Sequence, residues 1–163
     1  MGEWKEKDAE SLRRICRIGH IVLIIGIVVM AIVAAVSLAG AVLDMADHGS
    51  GHGDVPKLVA GAVGSVFVLV VLMVLDRVVR DISLGGTPFT YENADRLKLM
   101  AILFAIGTIA VIACHAGLSL VLDVPIGDAS IDLGSLVTAA IVYVISLIFR
   151  YGTKLQIESD NTV

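Results

Sequence analysis

Four stretches of this chain carry no charged residue: 21–43, 58–75, 99–122 and 133–149, which are 23, 18, 24 and 17 residues long. A helix needs about 20 apolar residues, within a range of about 17–25, to cross the ~30 Å hydrocarbon core of a bilayer. All four runs qualify. In hydrocarbon every backbone N–H and C=O must be bonded within the protein, and a helix does this within each segment. The sequence is therefore read as all-α: a four-transmembrane-helix, up-down-up-down bundle in the lipid bilayer, forming one integral membrane domain over residues 1–163. The first run exceeds the ~7–15-residue apolar core of a signal peptide and three more runs follow, so it is read as a retained span. Composition agrees, since only 17% of residues are charged and the mean hydropathy is +0.92. Those charges lie in short bands between the runs.

The bands set an expected orientation. Segments 1–20, 76–98 and 150–163 carry eleven of the twelve lysines and arginines, and segments 44–57 and 123–132 carry Lys57 alone. By the positive-inside rule both termini and the 76–98 loop are expected in the cytoplasm, with 44–57 and 123–132 as outer loops. The outer loops hold Asp44, Asp47, Asp54, Asp123, Asp128 and Asp132, so the net charge of −4 is a property of that face. The inner face is nearly balanced, which argues against direct nucleic-acid binding.

Signals for chemistry are sparse. His115 lies inside the third run with Ser119 one turn on, and an ionisable group at membrane depth is a candidate intramembrane polar site. No Asp or Glu shares that depth, so a hydrogen-bonded neutral histidine is favoured over a proton relay. His48 and His52 in "DHGSGHGD" are four apart and could gather zinc, but Gly49, Gly51 and Gly53 oppose the helix that would align them. Cys16 and Cys114 fall at different depths and are expected to be reduced. There is no His-Glu-x-x-His unit, no cysteine redox pair and no nucleophile with a base on a second element. No enzyme activity and no cofactor are expected. Small residues such as Gly26, Ala60, Gly64, Ser135 and Ala139 suit close helix packing, within the bundle or across a homodimer.

The segment "DISLGGTPFTYENADRLKLM" (81–100) has its own grammar. Gly85-Gly86 can end the extension of span two. Pro88 pushes Thr87 toward an extended backbone. Thr90 is placed to cap a new helix, with Glu92 in its first turn, and Phe89 is placed to staple onto Ala94. About two turns of span three should then stand beyond the membrane. At the N-terminus, Asp8 or Ser11 could cap either an interfacial helix or an extension of span one. Pro56 suits the opening of span two, and Ser130 or Asp132 the cap of span four. The tail 150–163 continues span four, with Leu155 and Ile157 among polar residues.

The pair of motifs "GGTPFTYENADRLKLMA" and "IFRYGTKLQIESDNTV" resembles the "domain of unknown function 2975" family of small bacterial membrane proteins. The matching residues are Gly86, Pro88, Phe89 and Asn93, then Gly152, Leu155, Glu158, Asp160 and Thr162. The resemblance implies a four-span protein of the bacterial cytoplasmic membrane without enzymatic activity. It also implies a partner, because genes of the family often neighbour one for a very short Xre/Cro-type helix-turn-helix regulator. The candidate partner-binding surface is Gly86, Pro88, Phe89, Asn93 and Arg96 of the loop with Tyr151, Gly152, Leu155, Glu158 and Asp160 of the tail. The alternative is a membrane protein of transport or immunity that acts on a small molecule or peptide.

Overall fold

The computed structural model describes residues 2–46, 53–84, 88–126 and 133–160. They form four helices: α1 (Gly2–Ala46), α2 (Val55–Ser83), α3 (Tyr91–Val121) and α4 (Leu133–Asp160). All four are long and apolar enough to cross a membrane. Each overshoots its uncharged run. Even α4, the shortest at 28 residues, spans about 42 Å at 1.5 Å per residue, against a core of ~30 Å. The overshoot lies mostly at the end that carries the basic residues, called here the basic end. α1 is one continuous helix of 45 residues, so the N-terminal segment extends span one. Asp8 and Ser11 lie inside this helix and do not start it.

Neighbours run antiparallel. Gly40 faces Leu58, Gly26 faces Leu72 and Gly19 faces Val79, so the register rises on α1 as it falls on α2. At the α2–α3 seam a Cβ on Gly107 would sit 3.0 Å from the Phe67 ring, and one on Gly64 would sit 3.2 Å from Val111. These are the close approaches that small residues permit between helices in lipid, where packing replaces the hydrophobic effect as the main attraction. Ala60, Ala62, Val71, Met100, Ala101 and Ala139 are buried in the same seams. Packing joins α1 to α2, α2 to α3 and α3 to α4; among the described residues no other pair of helices is packed together. The bundle is therefore an open series, with α1 and α4 as its free edges.

Several hydroxyl groups within the helices are satisfied locally. Ser65 donates to Gly61 O at 2.9 Å, Thr108 to Phe104 O at 2.9 Å and Thr138 to Gly134 O at 2.8 Å. This back-bonding removes the cost of carrying a hydroxyl into hydrocarbon. Pro56 occupies the first turn of α2, where a missing N–H costs nothing. At the far end of α3, Asp123 has φ 53° and Val124 N donates to Ser119 O at 3.0 Å, the bond pattern of a helix stop with a left-handed residue. The expected stop at Gly85-Gly86 and the expected caps Ser130 and Asp132 lie outside the described residues.

Candidate functional site

The two sequence motifs meet at the basic end. Thr90 holds an extended backbone (φ −129°, ψ 150°) and its side chain accepts the Asn93 N–H at 3.1 Å, so it caps α3 as its position predicts. Asn93 is the hub of the turn. Its side-chain amide donates to Pro88 O at 3.3 Å, and its carbonyl accepts from Arg96 at 3.3 Å. Only a residue with both a donor and an acceptor on one short side chain can do this. Asn93 is 2% exposed, so these bonds are shielded from competing water.

Arg96 ties the turn to α2. It donates to Asp81 on α2, to Asn93 and to Glu92, the last at 2.6 Å. Its guanidinium is charged at every relevant pH and presents several donors in a rigid fork, which suits one side chain to three acceptors.

Phe89, which the sequence places to staple onto Ala94, also reaches a second helix. Its ring packs across to α4, where its centroid lies 5.1 Å from that of Phe149 at an interplanar angle of 44°. Gly152 makes room for it, since a Cβ there would lie 3.0 Å from Phe89 Cδ1. A second aromatic ring offers far more contact area than an alanine methyl, and α4 brings one within reach. Thr153, next along α4, is buried and donates to Phe149 O at 2.9 Å. Beyond it α4 is exposed through Ser159. Lys154 pairs with Glu158 at 3.7 Å, and Leu155 and Ile157 are exposed on the same extension. Tyr151 is exposed as well. Thus Pro88, Phe89, Asn93, Arg96 and Gly152 lie in one connected cluster, while Tyr151, Leu155 and Glu158 project from its edge. Asp160 closes α4, and Gly86 lies outside the described residues.

A second contact at this end is not visible as a motif. His20 Nδ1 lies 2.5 Å from Asp76 Oδ1 and joins α1 to α2. The signal was positional: His20 precedes the first uncharged run and Asp76 follows the second, so an antiparallel pair sets them at one depth.

The other candidates are dispersed. His115 Nδ1 and Ser119 Oγ are both buried without a hydrogen-bond partner. Neither lines a cavity of about 280 Å³ between α2 and α3 bordered by Ala60, Gly64, Phe67, Leu103, Gly107 and Val111. Of its three hydroxyls, at Ser65, Thr108 and Ser135, the first two are committed to their own helices, and the rest of the lining is apolar. His48 and His52 lie outside the described residues. Among the described residues no cluster of three or more His, Cys, Asp or Glu could hold a metal ion. Cys16 and Cys114 are both free thiols.

Neither a curated protein nor a solved structure matches this chain. Residues 41–163 match the family described as a protein of unknown function (DUF2975). The match runs from the end of α1 through the capped turn to the last residue of the tail, three quarters of the sequence. The chain is thus an integral membrane protein that belongs to the DUF2975 family.

Proposed function

We propose that this protein is a non-enzymatic membrane regulator whose basic end faces the cytoplasm and docks a small helix-turn-helix transcription regulator. The supporting observation is an apolar surface beyond the uncharged runs: Leu155 and Ile157, two residues apart on the end of α4 that overshoots the bilayer, are 48% and 45% exposed. Lipid covers exposed apolar residues within a span, but not residues that stand beyond it. Apolar residues clustered outside the membrane and rimmed by charge mark protein contact sites. Arg96, Asp81, Glu92, Lys154 and Glu158 supply both signs of charge around it, which suits a protein partner better than a bare polyanion.

The test is co-purification from detergent with a small helix-turn-helix regulator of the Xre/Cro type from the same cell. Capture should be lost in Leu155→Asp/Ile157→Asp and weakened in Phe89→Ala and Glu158→Lys, with helix content unchanged. A variant that captures as much as the native chain, or a native chain that captures nothing, defeats the reading. Thiol labelling of single cysteines placed at Lys154 and Asp54 tests orientation, since only the latter should react from outside the cell.

One observation favours the alternative of a transport or immunity protein. A ligand reaching His115 and Ser119 would supply the partners that their buried polar atoms lack. Substrate uptake or peptide protection that persists in His115→Ala/Ser119→Ala would count against it.

A further inference from the structure

At the basic end the last charged residues before span three and after span four face one another. Ala94, Asp95 and Lys98 on α3 and Tyr143, Ser146 and Arg150 on α4 line a crevice of about 80 Å³. That is well above the ~10–15 Å³ that a single water needs, and it suits a compact polar group. Ser146 is already committed, since its hydroxyl donates to Tyr143 O at 2.7 Å. The charged groups are not. The ion pairs of this end join Arg96 to Asp81 and Glu92, Lys154 to Glu158, and His20 to Asp76. Among the described residues Lys98, Arg150 and Asp95 take part in none of them, nor in any hydrogen bond. Two cations and a carboxylate therefore share one crevice without neutralising one another.

Depth identifies what meets them. Lys98 immediately precedes the uncharged run 99–122 and Arg150 immediately follows 133–149, so both stand where hydrocarbon gives way to lipid phosphate. Just inside that boundary Leu99, Tyr143 and Leu147 are exposed and offer an apolar track. Basic pockets between membrane helices are suited to lipid headgroups.

We propose that the α3–α4 crevice binds the phosphodiester of a glycerophospholipid whose headgroup carries its own hydrogen-bond donor. Lys98 and Arg150 donate to the phosphate oxygens. Asp95 accepts from an ethanolamine ammonium or a glycerol hydroxyl next to that phosphate. The acyl chains lie along Leu99, Tyr143 and Leu147. A choline headgroup has no N–H or O–H to offer Asp95 and is disfavoured. This site is distinct from the exposed end of α4 and does not rest on the docking reading.

The test is native mass spectrometry of the delipidated full-length protein in detergent. The protein is titrated separately with phosphatidylethanolamine, phosphatidylglycerol, phosphatidylcholine and inorganic phosphate. The first two should bind more tightly than phosphatidylcholine. Lys98→Gln and Arg150→Gln should each weaken them roughly fivefold, the effect of about one surface charge at a membrane. Asp95→Ala should abolish the preference over phosphatidylcholine. Arg14→Gln/Arg17→Gln, which removes boundary charges outside the crevice, should change nothing. Equal binding of all three lipids, or unchanged binding in both single variants, overturns the proposal. So does inorganic phosphate that binds through Lys98 and Arg150 while the lipids do not. The single variants carry the test without requiring the double variant to fold.

Discussion

Gly152→Ala isolates the contact between the capped turn and α4. In an ordinary helix this change stabilises by roughly 0.5–1 kcal/mol, because glycine loses the most backbone freedom on folding. Here the new methyl meets Phe89 Cδ1 at 3.0 Å and Cε1 at 3.2 Å, inside normal van der Waals contact. Phe149 backs the ring at 5.1 Å between centroids, while Phe89 is 41% exposed and can yield only toward its open side. Overpacking of this kind costs about 1–3 kcal/mol. Steric cost outweighs propensity, and Gly152→Ala should destabilise by about 1 kcal/mol. In a Phe89→Ala background the clash is gone and the same change should stabilise by roughly 0.5–1 kcal/mol. The coupling between the two sites is then about 1.5–2 kcal/mol. Reversible unfolding in mixed micelles by denaturing detergent, followed by circular dichroism, measures all four corners of this cycle. Hydrogen exchange at the Asn93 and Ala94 amides reports whether the turn loosens locally. The reasoning fails if Gly152→Ala stabilises the native chain, or if its effect is the same with and without Phe89.

Other perturbations test the remaining contacts. Asn93→Ala removes the hub and leaves buried groups unpaired, so it should cost about 1–3 kcal/mol, whereas Thr90→Ala should cost about 1 kcal/mol through the lost cap and Thr90→Ser much less; both are read in the same unfolding assay. Arg96→Gln should destabilise by about 1 kcal/mol, a value held down because Asp81 and Glu92 are well exposed to water, and raising the salt concentration should shrink the difference from the native chain. Asp123→Val places a β-branched residue at positive φ and should destabilise, while Asp123→Gly should stabilise by up to about 1 kcal/mol. With Cys16 and Cys114 replaced by serine, His20→Cys/Asp76→Cys should be joined by a short bifunctional thiol cross-linker, seen as a mobility shift on gels; its absence would contradict the α1–α2 register.

The spans were legible because hydrocarbon excludes unpaired charge, which leaves each crossing segment marked by an uncharged run. The helix ends were less legible because hydropathy stops at the membrane boundary while the helix does not. α1 begins at Gly2 and α4 runs to Asp160, and backbone bonding continues in both past the last apolar residue of the run. The Thr90 cap could be read because capping is a contact within a few residues. The site of Phe89 could not, since the staple rule looks only four or five residues ahead and Phe149 comes from another helix. His20 with Asp76, and Lys98 with Arg150, fall between these cases. Each residue adjoins an uncharged run, so hairpin topology fixes their common depth, but only the packed structure fixes their common face. The lack of packing between α1 and α4 has no signature in the amino-acid pattern, because lipid-facing and helix-facing residues are equally apolar.

The open series of helices carries a consequence for biosynthesis. Each helix packs against the one made just before it, so no interhelical seam waits for a segment still inside the ribosome. Such nearest-neighbour order keeps contact order low and limits the time for which a packing face stays unsatisfied. The first hairpin can close through its α1–α2 seam as soon as both spans have left the insertion machinery. The capped turn between α2 and α3 is the exception. Phe89 must wait for Phe149 and Gly152, so its docking can occur only after α4 has emerged, as a late local step.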